Sequence, residues 1–373
     1  MGTKGNKSGL EQTCDRYSFS LLRRRQVMKR KTIYIVICIL VLASSFLSCA
    51  FAEEAEKTKV NVLIVPKFEI GEISGDDPGE AQLFYEHYCT GCEEINIPNT
   101  TPTSHFYFNG ENGVGLLITG SGKTAAGLSL MSLLSWDAYD FSDTMIVSVG
   151  CGGASTGSFI FGDVVLVTAA CDYELGYRTD RSELENPDSE FTWFPLDSLR
   201  DYSIEQLNSE LYDKAFPMIR DCPLRTTEAT KRVLAKNFPD EEWAARDPFV
   251  TKGTAVTGDS YWKGREDHGN ASFIAEYYEC PDQYAVSEME EISIMNAAEC
   301  FGLKDRVISL RVIVNMDTFL KGENPERLWL TGTDYGSRVT EENSETVDIF
   351  MPGMENLFDV GRIVIDAILS GEL

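Results

Sequence analysis

Two glycine-rich segments of the chain each follow a short apolar stretch, and such segments let a ligand approach the backbone closely. GSGKT occupies residues 120–124, and GCGG occupies residues 150–153, and each predicts a turn after a strand. A helix that begins near Lys123 would direct its first backbone amides at a polar ligand. Because ligands of α/β sheets bind beyond the carboxyl ends of the strands, the two segments predict one shared crevice. The residues that we assign to this crevice are Gly120, Gly122, Lys123, Gly150, Cys151 and Gly152.

The first glycine segment fits two nucleotide-binding patterns only in part. A P-loop needs a glycine five positions before Gly122, where this chain has Leu117. A dinucleotide-binding turn needs an acidic residue at the end of the next strand, which here ends in Val149 and Gly150. We therefore expect neither NTP nor dinucleotide binding.

An acidic segment and an aromatic pair are further candidates for ligand contact. Ser287 and Glu290 fit a capping box at the start of a helix, which is a sufficient structural reason for the glutamate. The same carboxylate could instead accept hydrogen bonds from the two hydroxyls of a sugar. Tyr261 and Trp262 follow a predicted strand and are either core residues or a stacking platform for a flat heterocycle.

Cysteine and histidine show no metal-binding pattern. Cys89 and Cys92 form a CxxC pair, but no second pair follows to complete a zinc site. The three histidines are scattered along the chain. We expect no metal and no cofactor, and the CxxC pair is either a local disulfide or two free thiols.

The chain is strongly acidic, and its charge is unevenly distributed. Its 373 residues include 33 Lys and Arg against 59 Asp and Glu, which gives a net charge of −26. The first 52 residues hold nine of these basic and two of these acidic residues, so the rest of the chain has a net charge of −33. A surface this acidic repels phosphate backbones, and we expect no nucleic-acid partner.

The first 52 residues have the order of a secretory signal: a basic cluster, an apolar run and small residues. Met28 could be the true start, and AFA at residues 50–52 predicts cleavage before Glu53. A lipid-modified Cys49 and an uncleaved anchor are the alternatives, although the apolar run at residues 33–47 is shorter than the ~20 residues of a spanning helix. We expect an exported protein, periplasmic or extracellular, with a membrane tether in the two alternative cases.

The elements that would position the candidate residues alternate between strands and helices. This alternation predicts an α/β protein with a mixed or parallel sheet. We expect a single domain over residues 53–373, with an acidic insertion around residues 180–250 that is mostly helical or irregular. The predicted strands are residues 60–65, 114–119, 144–149, 163–170, 251–257 and 306–315, and the predicted helices are residues 123–136, 288–301 and 342–369.

Eight short segments, taken in chain order, carry a resemblance to a known family. They are PKFEIG (66–71), GDDPGEAQ (75–82), TGSGKT (119–124), VGCGGA (149–154), FGDV (161–164), GDSY (258–261), SEME (287–290) and RVIVN (311–315). Together they resemble the nucleoside phosphorylase superfamily, and more closely its purine nucleoside permease family. The resemblance implies a three-layer fold with a central twisted mixed sheet flanked by helices. It also implies a purine nucleoside as ligand and a homo-oligomer as the assembly common in the superfamily.

The resemblance implies roles for individual residues. Glu290 is similar to the carboxylate that holds the ribose 2′ and 3′ hydroxyls, with Met289 packing on the sugar. Asn315 is similar to the residue that faces the purine, where an amide can both donate and accept hydrogen bonds. Tyr261 and Trp262 match the segment that stacks on the base.

The residues for catalysis differ from those of the superfamily. Its bacterial phosphorylases have arginines near positions that correspond here to Ser148 and Glu80, so bidentate phosphate capture is lost. Its hydrolases keep an aspartate where this chain has Asn315, which cannot donate a full proton. Asp317 could substitute for it, and Glu69 could position a water molecule.

We therefore expect an exported protein that binds purine nucleosides for capture and uptake, since one short apolar segment cannot line a path through a bilayer. The alternative is an enzyme that cleaves the N-glycosidic bond in the same pocket, either a nucleosidase or a purine nucleoside phosphorylase. Its catalytic residues would be Asn315 and Glu69. Phosphate would be a co-substrate only in the second case.

Overall fold

The computed structural model describes residues 57–68, 70, 79–186, 191–321, 338–340 and 346–373. Residues Lys57–Leu373 form one compact unit. The predicted signal segment and Glu69 lie outside the described residues. No helix in the described part of the chain is both long enough and apolar enough to cross a membrane.

A mixed β-sheet runs through this unit. The strands are β1 (Thr58–Lys59), β2 (Val62–Val65), β3 (Glu94–Ile95), β4 (His105–Asn109), β5 (Val114–Ile118), β6 (Tyr139–Asp140), β7 (Met145–Ala154), β8 (Val164–Asp172), β9 (Gly176–Arg178), β10 (Trp193–Pro195), β11 (Ile204–Gln206), β12 (Val250–Thr257), β13 (Tyr284–Glu288), β14 (Val307–Met316), β15 (Arg338–Thr340) and β16 (Thr346–Asp348). Three short pairs, β1 with β6, β9 with β10 and β15 with β16, form separate two-stranded sheets. The other strands form the main sheet in the order β11-β8-β12-β13-β7-β2-β5-β4-β3, with β14 paired to β7 and β8.

Part of the main sheet is closed on itself. β14 pairs with both β7 and β8, and β7 is also joined to β8 through β13 and β12. The central strands β2, β5 and β8 are buried along their whole length, as their continuous apolar sequences predict. The five strands β7, β8, β12, β13 and β14 thus form a closed ring, which includes the carboxyl ends of β7, β12, β13 and β14.

Helices flank the sheet. The helices are α1 (Gln82–Tyr88), α2 (Lys123–Leu134), α3 (Arg200–Ser203), α4 (Ser209–Ile219), α5 (Glu228–Asn237), α6 (Glu241–Ala244), α7 (Arg265–Tyr277), α8 (Glu291–Cys300) and α9 (Phe350–Ser370), with 3-10 turns at Arg181–Glu183, Asp197–Leu199 and Lys304–Arg306. α2 packs against α8, and α9 packs against β14 and α1. The predicted α/β class, with a central mixed sheet flanked by helices, is confirmed.

The second glycine segment is a strand rather than the turn that we predicted. β7 continues through Gly150 to Ala154 because β14 pairs beside it in parallel over this length. A Cβ on Gly152 would lie 2.4 Å from Val286 Cγ2 and 2.5 Å from the carbonyl oxygen of Ser287. The glycine is therefore needed for the close approach of β13 to β7, and not for a change of direction.

The predicted helix at residues 288–301 begins later than expected, at Glu291. Ser287 and Glu288 belong to strand β13, so the predicted capping box does not form. The Glu288 carboxylate instead accepts the backbone N–H groups of Glu290 at 2.8 Å and Glu291 at 2.7 Å. A residue from the preceding strand thus satisfies the first amides of α8.

The acidic segment around residues 180–250 forms a small β-ribbon, short helices and one edge strand. β11 pairs antiparallel with β8, which places Ile204 opposite Cys171. The C-terminal helical prediction is met by α9, which starts at Phe350 after the short strand β16.

Candidate functional site

A pocket lies at the carboxyl ends of several strands of the main sheet. Ser121 follows β5, Lys67 follows β2, and Asn315 lies near the end of β14. The pocket is lined by Lys67, Phe68, Glu80, Ser121, Cys151, Gly152, Gly153, Gly258, Ser260, Tyr261, Trp262, Ser287, Glu288, Met289, Glu290 and Asn315.

Most of the residues that we assigned to a ligand line this single pocket, and a few do not. The predicted residues on its wall are Cys151, Gly152, Tyr261, Trp262, Met289, Glu290 and Asn315. Gly122 and Gly150 lie behind the wall, where each contacts a carboxylate that lines the pocket. The structure therefore brings the predicted ribose ligand Glu290 and the predicted base ligand Asn315 to one cavity.

Glu290 is held in one orientation at the junction of β13 and α8. Its Oε1 accepts the backbone N–H of Gly122 at 2.7 Å, and the residue is 6% exposed. Burial, followed by the negative charge of Glu288, raises the pKa of Glu290 to about 8, although Lys67 and the Gly122 amide oppose this. The group can therefore carry a proton at neutral pH, and it could donate as well as accept hydrogen bonds.

Gly122 adopts a backbone conformation that favours glycine, with φ at +92°. A Cβ at this position would also come 3.0 Å from Asp259 Oδ1. Asp259 accepts the N–H of Lys123 at 2.7 Å, so the amides of Gly122 and Lys123 both point at protein carboxylates. The amides that we expected to meet a polar ligand at the start of α2 thus donate to Glu290 and Asp259.

The Lys123 side chain points away from the predicted crevice. Its ammonium is 3.1 Å from Asp172 Oδ1 and 2.8 Å from Glu174 Oε2. Burial lowers the pKa of Lys123, but these two carboxylates outweigh it and raise the pKa above its usual value. The only cation that we expected near the first glycine segment therefore stabilises the start of α2 and the end of β8.

A buried network of ion pairs holds the residues on both sides of Glu290. Arg311 is fully buried, and its Nη2 lies 2.5 Å from Glu291 Oε2 and 3.4 Å from Glu288 Oε2. Burial disfavours the charge of Arg311, but the surrounding carboxylates raise its pKa above the usual range. Ser148 donates to Glu291 Oε2 at 2.7 Å. The network fixes the end of β13 and the start of α8, between which Glu290 lies.

Lys67 is a lining residue to which sequence reasoning gave no role. Its ammonium donates to Val65 O at 3.0 Å, Ser148 Oγ at 2.8 Å and Val149 O at 2.9 Å. Burial, followed by the charge of Arg311, lowers the pKa of Lys67 to about 8. The signal in the sequence was a lysine directly after a predicted buried strand, because lysine is almost never fully buried unless it is paired.

Glu80 is the second lining residue without an assigned ligand role. Its Oε2 accepts the N–H of Lys67 at 2.8 Å, and its Oε1 accepts the N–H of Cys151 at 2.7 Å. The residue is only 4% exposed. A Cβ on Gly150 would come 3.0 Å from Glu80 Oε1, so the glycine makes room for this carboxylate.

The end of the pocket at Asn315 is shaped by a strand irregularity. The register of β14 against β7 shifts between Ile313 and Asn315, and such irregularities re-aim side chains. A Cβ on Gly153 would lie 2.4 Å from Asn315 Nδ2 and 2.7 Å from Ser287 Oγ. The glycine thus lets the amide and the hydroxyl meet at the pocket wall.

The two predicted stacking aromatics have different surroundings. Trp262 stacks on Tyr173, with ring centroids 5.3 Å apart and planes inclined by 24°. Tyr261 is 86% exposed at the mouth of the pocket. Trp262 is therefore a fixed wall, whereas Tyr261 could only cover a bound ligand from the outside.

Asp317, which we considered as a substitute acid, does not line the pocket. Its carboxylate accepts the Tyr284 hydroxyl, and Oδ1 lies 3.9 Å from His268 Nδ1. Burial raises the pKa of Asp317 to about 7. The carboxyl group is 1% exposed and belongs to a buried cluster behind Trp262.

A second depression lies at the opposite, amino ends of the strands, next to the C-terminus. Its cations Lys59 and Arg306 both pair with Asp143, at 3.2 and 3.4 Å. The two cations share this one carboxylate, and the depression contains none of the residues that we assigned to a ligand. Among the described residues, no group of three or more His, Cys, Asp or Glu side chains could hold a metal ion.

Residues 59–371 match the family model described as purine nucleoside permease. A curated relative, a probable purine nucleoside permease of Schizosaccharomyces pombe, is 26% identical over 193 residues, which are 48% of this chain and 54% of the relative. The match spans about half the length of that relative.

Solved structures of similar architecture include two nucleosidases for 5′-methylthioadenosine and S-adenosylhomocysteine. The enzyme of Campylobacter jejuni has a TM-score of 0.48 and 14% identity, with 84% of this chain and 100% of that chain covered. The enzyme of Helicobacter pylori has a TM-score of 0.47 and 13% identity, with 86% and 100% covered.

Proposed function

The chain belongs to the purine nucleoside permease family, and we propose that it captures purine nucleosides in the pocket between Glu290 and Asn315. The observation that supports this most is that the carboxyl group of Glu290 and the amide of Asn315 line one cavity. A nucleoside needs a partner for its ribose hydroxyls at one end and for its base at the other. The pocket offers both, with Met289 and Trp262 as apolar surface on its wall.

The two ends of the pocket suit the two halves of this ligand. The Gly122 amide orients the Glu290 carboxyl, which can then hydrogen-bond a pair of neighbouring hydroxyls. Asn315 presents a donor and an acceptor to a base edge, and Ser287 adds a hydroxyl beside it. Trp262 is held by Tyr173 and provides a rigid face for a flat ring.

We place this capture outside the cytoplasmic membrane. The proposal rests on the apolar run at residues 33–47, which follows a basic cluster. Nucleoside uptake would then begin with binding by this chain. Fractionation of cells that produce the tagged full chain, with and without residues 1–52, tests the export, and the truncated chain is expected to stay in the cytoplasm. A homo-oligomer and an N-terminal membrane tether are parts of the same proposal, which sedimentation velocity and detergent extraction test.

A panel of nucleosides, titrated by calorimetry and by thermal shift, tests the binding. We expect inosine, guanosine or adenosine to bind saturably and to raise the melting temperature, because a ligand that binds only the folded state stabilises it. Uridine is the matched control, since it has the ribose without the purine. No response to any purine nucleoside at millimolar concentration would contradict the proposal.

Cleavage of the N-glycosidic bond in the same pocket is the second candidate. It is favoured by the presence of two carboxyl groups, Glu80 and Glu290, on one pocket wall, since such groups can act as acid and base. Incubation with inosine and adenosine, followed by chromatography of the bases, separates the two functions. Release of free base supports the enzyme, and saturable binding without release supports capture.

A further inference from the structure

Four backbone amides at or next to the pocket already donate to carboxylates of the protein. Gly122 donates to Glu290, and Lys123 donates to Asp259. Lys67 and Cys151 both donate to Glu80. Neighbouring backbone N–H groups of this kind normally make a site for an anion. Here the protein supplies the anions itself.

Glu80 joins two separate segments in this way. The amide of Lys67 follows β2, the amide of Cys151 lies in β7, and the two converge on one carboxylate at 2.8 and 2.7 Å. The carboxylate lines the pocket and is almost fully buried. Gly150 leaves the space that it fills, since a Cβ there would come 3.0 Å from Oε1.

The two buried cations beside the pocket, Lys67 and Arg311, are already engaged by groups of the protein. An ammonium has three donors, and those of Lys67 reach Val65 O, Ser148 Oγ and Val149 O. Arg311 is paired with Glu288 and Glu291. Among the described residues at the pocket, two buried cations thus stand against four buried acidic side chains, namely Glu80, Glu288, Glu290 and Glu291.

We propose that Glu80 is a built-in anion that occupies the site formed by the amides of Lys67 and Cys151 and keeps inorganic phosphate out of the pocket. The nucleoside part of this inference rests on the function proposed above. Any catalysis in the pocket would then use water and not phosphate, and phosphorylated nucleosides would be rejected. Two requirements enforce this: a second anion would have to displace Glu80 from its amides, and it would be repelled by the remaining carboxylates.

The test compares anion binding by the full wild-type chain and by Glu80→Ala, with phosphate, sulfate and formate at constant ionic strength. Wild type should show no saturable binding of any of the three. Glu80→Ala should bind formate or phosphate saturably, with a rise in melting temperature of roughly 2 °C at ten times Kd. Glu111→Ala is the matched control, since it removes one exposed carboxylate elsewhere and should behave as wild type.

Two results would overturn the proposal. The first is saturable phosphate binding by wild type. The second is a folded Glu80→Ala protein that binds none of the three anions. Glu80→Ser serves as a second variant, because its hydroxyl can satisfy one amide and still leave room for formate. If both variants fail to fold, recovery of folding by any of the anions counts as binding, and failure of all three to restore it contradicts the proposal.

The nucleoside measurements are made separately on the same preparations. Loss of every nucleoside response, with the anion results as expected, would refute nucleoside capture and leave the role of Glu80 intact. If wild type binds both a purine nucleoside and phosphate, nucleoside capture stands and the proposed role of Glu80 is refuted.

Discussion

The Glu290 carboxyl group accepts the backbone N–H of Gly122 at 2.7 Å, and this contact joins the end of β13 to the start of α2. The two residues are 168 positions apart in the chain. Glu290 therefore has a fixed orientation before any ligand binds, so binding loses no affinity to the ordering of this side chain. A preorganised carboxyl group in a buried pocket suits the recognition of hydroxyl groups.

Replacement of Glu290 by Gln should weaken nucleoside binding roughly 10-fold, because the one oxygen of Gln is taken by the Gly122 amide, whereas the carboxyl group has a second oxygen for the ribose hydroxyls. The Gln side chain can still accept the Gly122 amide, so the fold should persist. Calorimetric titration with inosine measures the loss. Glu276→Gln on the exposed side of α7 is the control and should bind as wild type. Equal affinities in all three proteins would show that Glu290 does not contact the ligand.

The same substitution should change how stability depends on pH. The pKa of Glu290 rises from 4.5 to about 8 on folding, so between these values the folded state holds a proton that the unfolded state has lost. Stability therefore falls as pH rises through this window. Lys67 acts in the opposite direction at higher pH, since its pKa falls from 10.5 to about 8 and stability rises across that range.

Urea unfolding of wild type and Glu290→Gln at a series of pH values checks this sign. The free energy of unfolding of wild type should fall relative to that of the variant as pH rises towards about 8. Above that pH the effect of Glu290 ends and the effect of Lys67, which both proteins share, begins. A difference between the two proteins that does not vary with pH would mean that Glu290 titrates normally.

Strands and helices with continuous apolar sequence could be predicted from the chain alone, as β2, β5 and α2 show. The glycines of residues 150–153 misled the prediction because glycine indicates a turn locally, whereas here it permits β13 and Asn315 to approach β7. Local sequence also could not identify Lys67 and Glu80 as a pair. Their contacts reach Ser148 and Cys151, residues 81 and 71 positions away, and such contacts arise only from the order of strands in the sheet.

The buried ion pairs next to the pocket should be sensitive to the loss of a single charge. Arg311→Met leaves Glu288 and Glu291 buried without their cation, and we expect a loss of about 3–5 kcal/mol in the free energy of unfolding. The double variant Arg311→Met, Glu291→Gln should recover part of that loss, because one of the unpaired charges is removed. Arg306→Met, which breaks an exposed pair with Asp143, should cost about 1 kcal/mol or less. Urea unfolding of these four proteins and of the single variant Glu291→Gln checks the order, and a loss in the double variant that equals the sum of the two single losses would rule out the coupling.

Two cysteines that are far apart in the chain come together behind the aromatic wall of the pocket. The sulfur atoms of Cys171 and Cys280 are 3.4 Å apart. Cys171 lies close in the chain to Tyr173, the ring on which Trp262 stacks. The hydrogen bond from Cys171 lowers the pKa of Cys280, whereas burial raises the pKa of Cys171. Cys280 is therefore the sulfur that should react first with a disulfide reagent.

Oxidised glutathione should convert this pair to a disulfide. The Cys280 thiolate attacks the reagent and releases one glutathione thiolate, and Cys171 then displaces the second as the internal bond forms. Peptide mapping should find the two residues cross-linked, with the loss of two hydrogens. Cys280→Ser should give no cross-link at Cys171, whereas Cys300→Ser, which removes an exposed thiol, should react as wild type. A stable mixed disulfide at Cys280, without release of the second glutathione, would show that the buried partner cannot reach it.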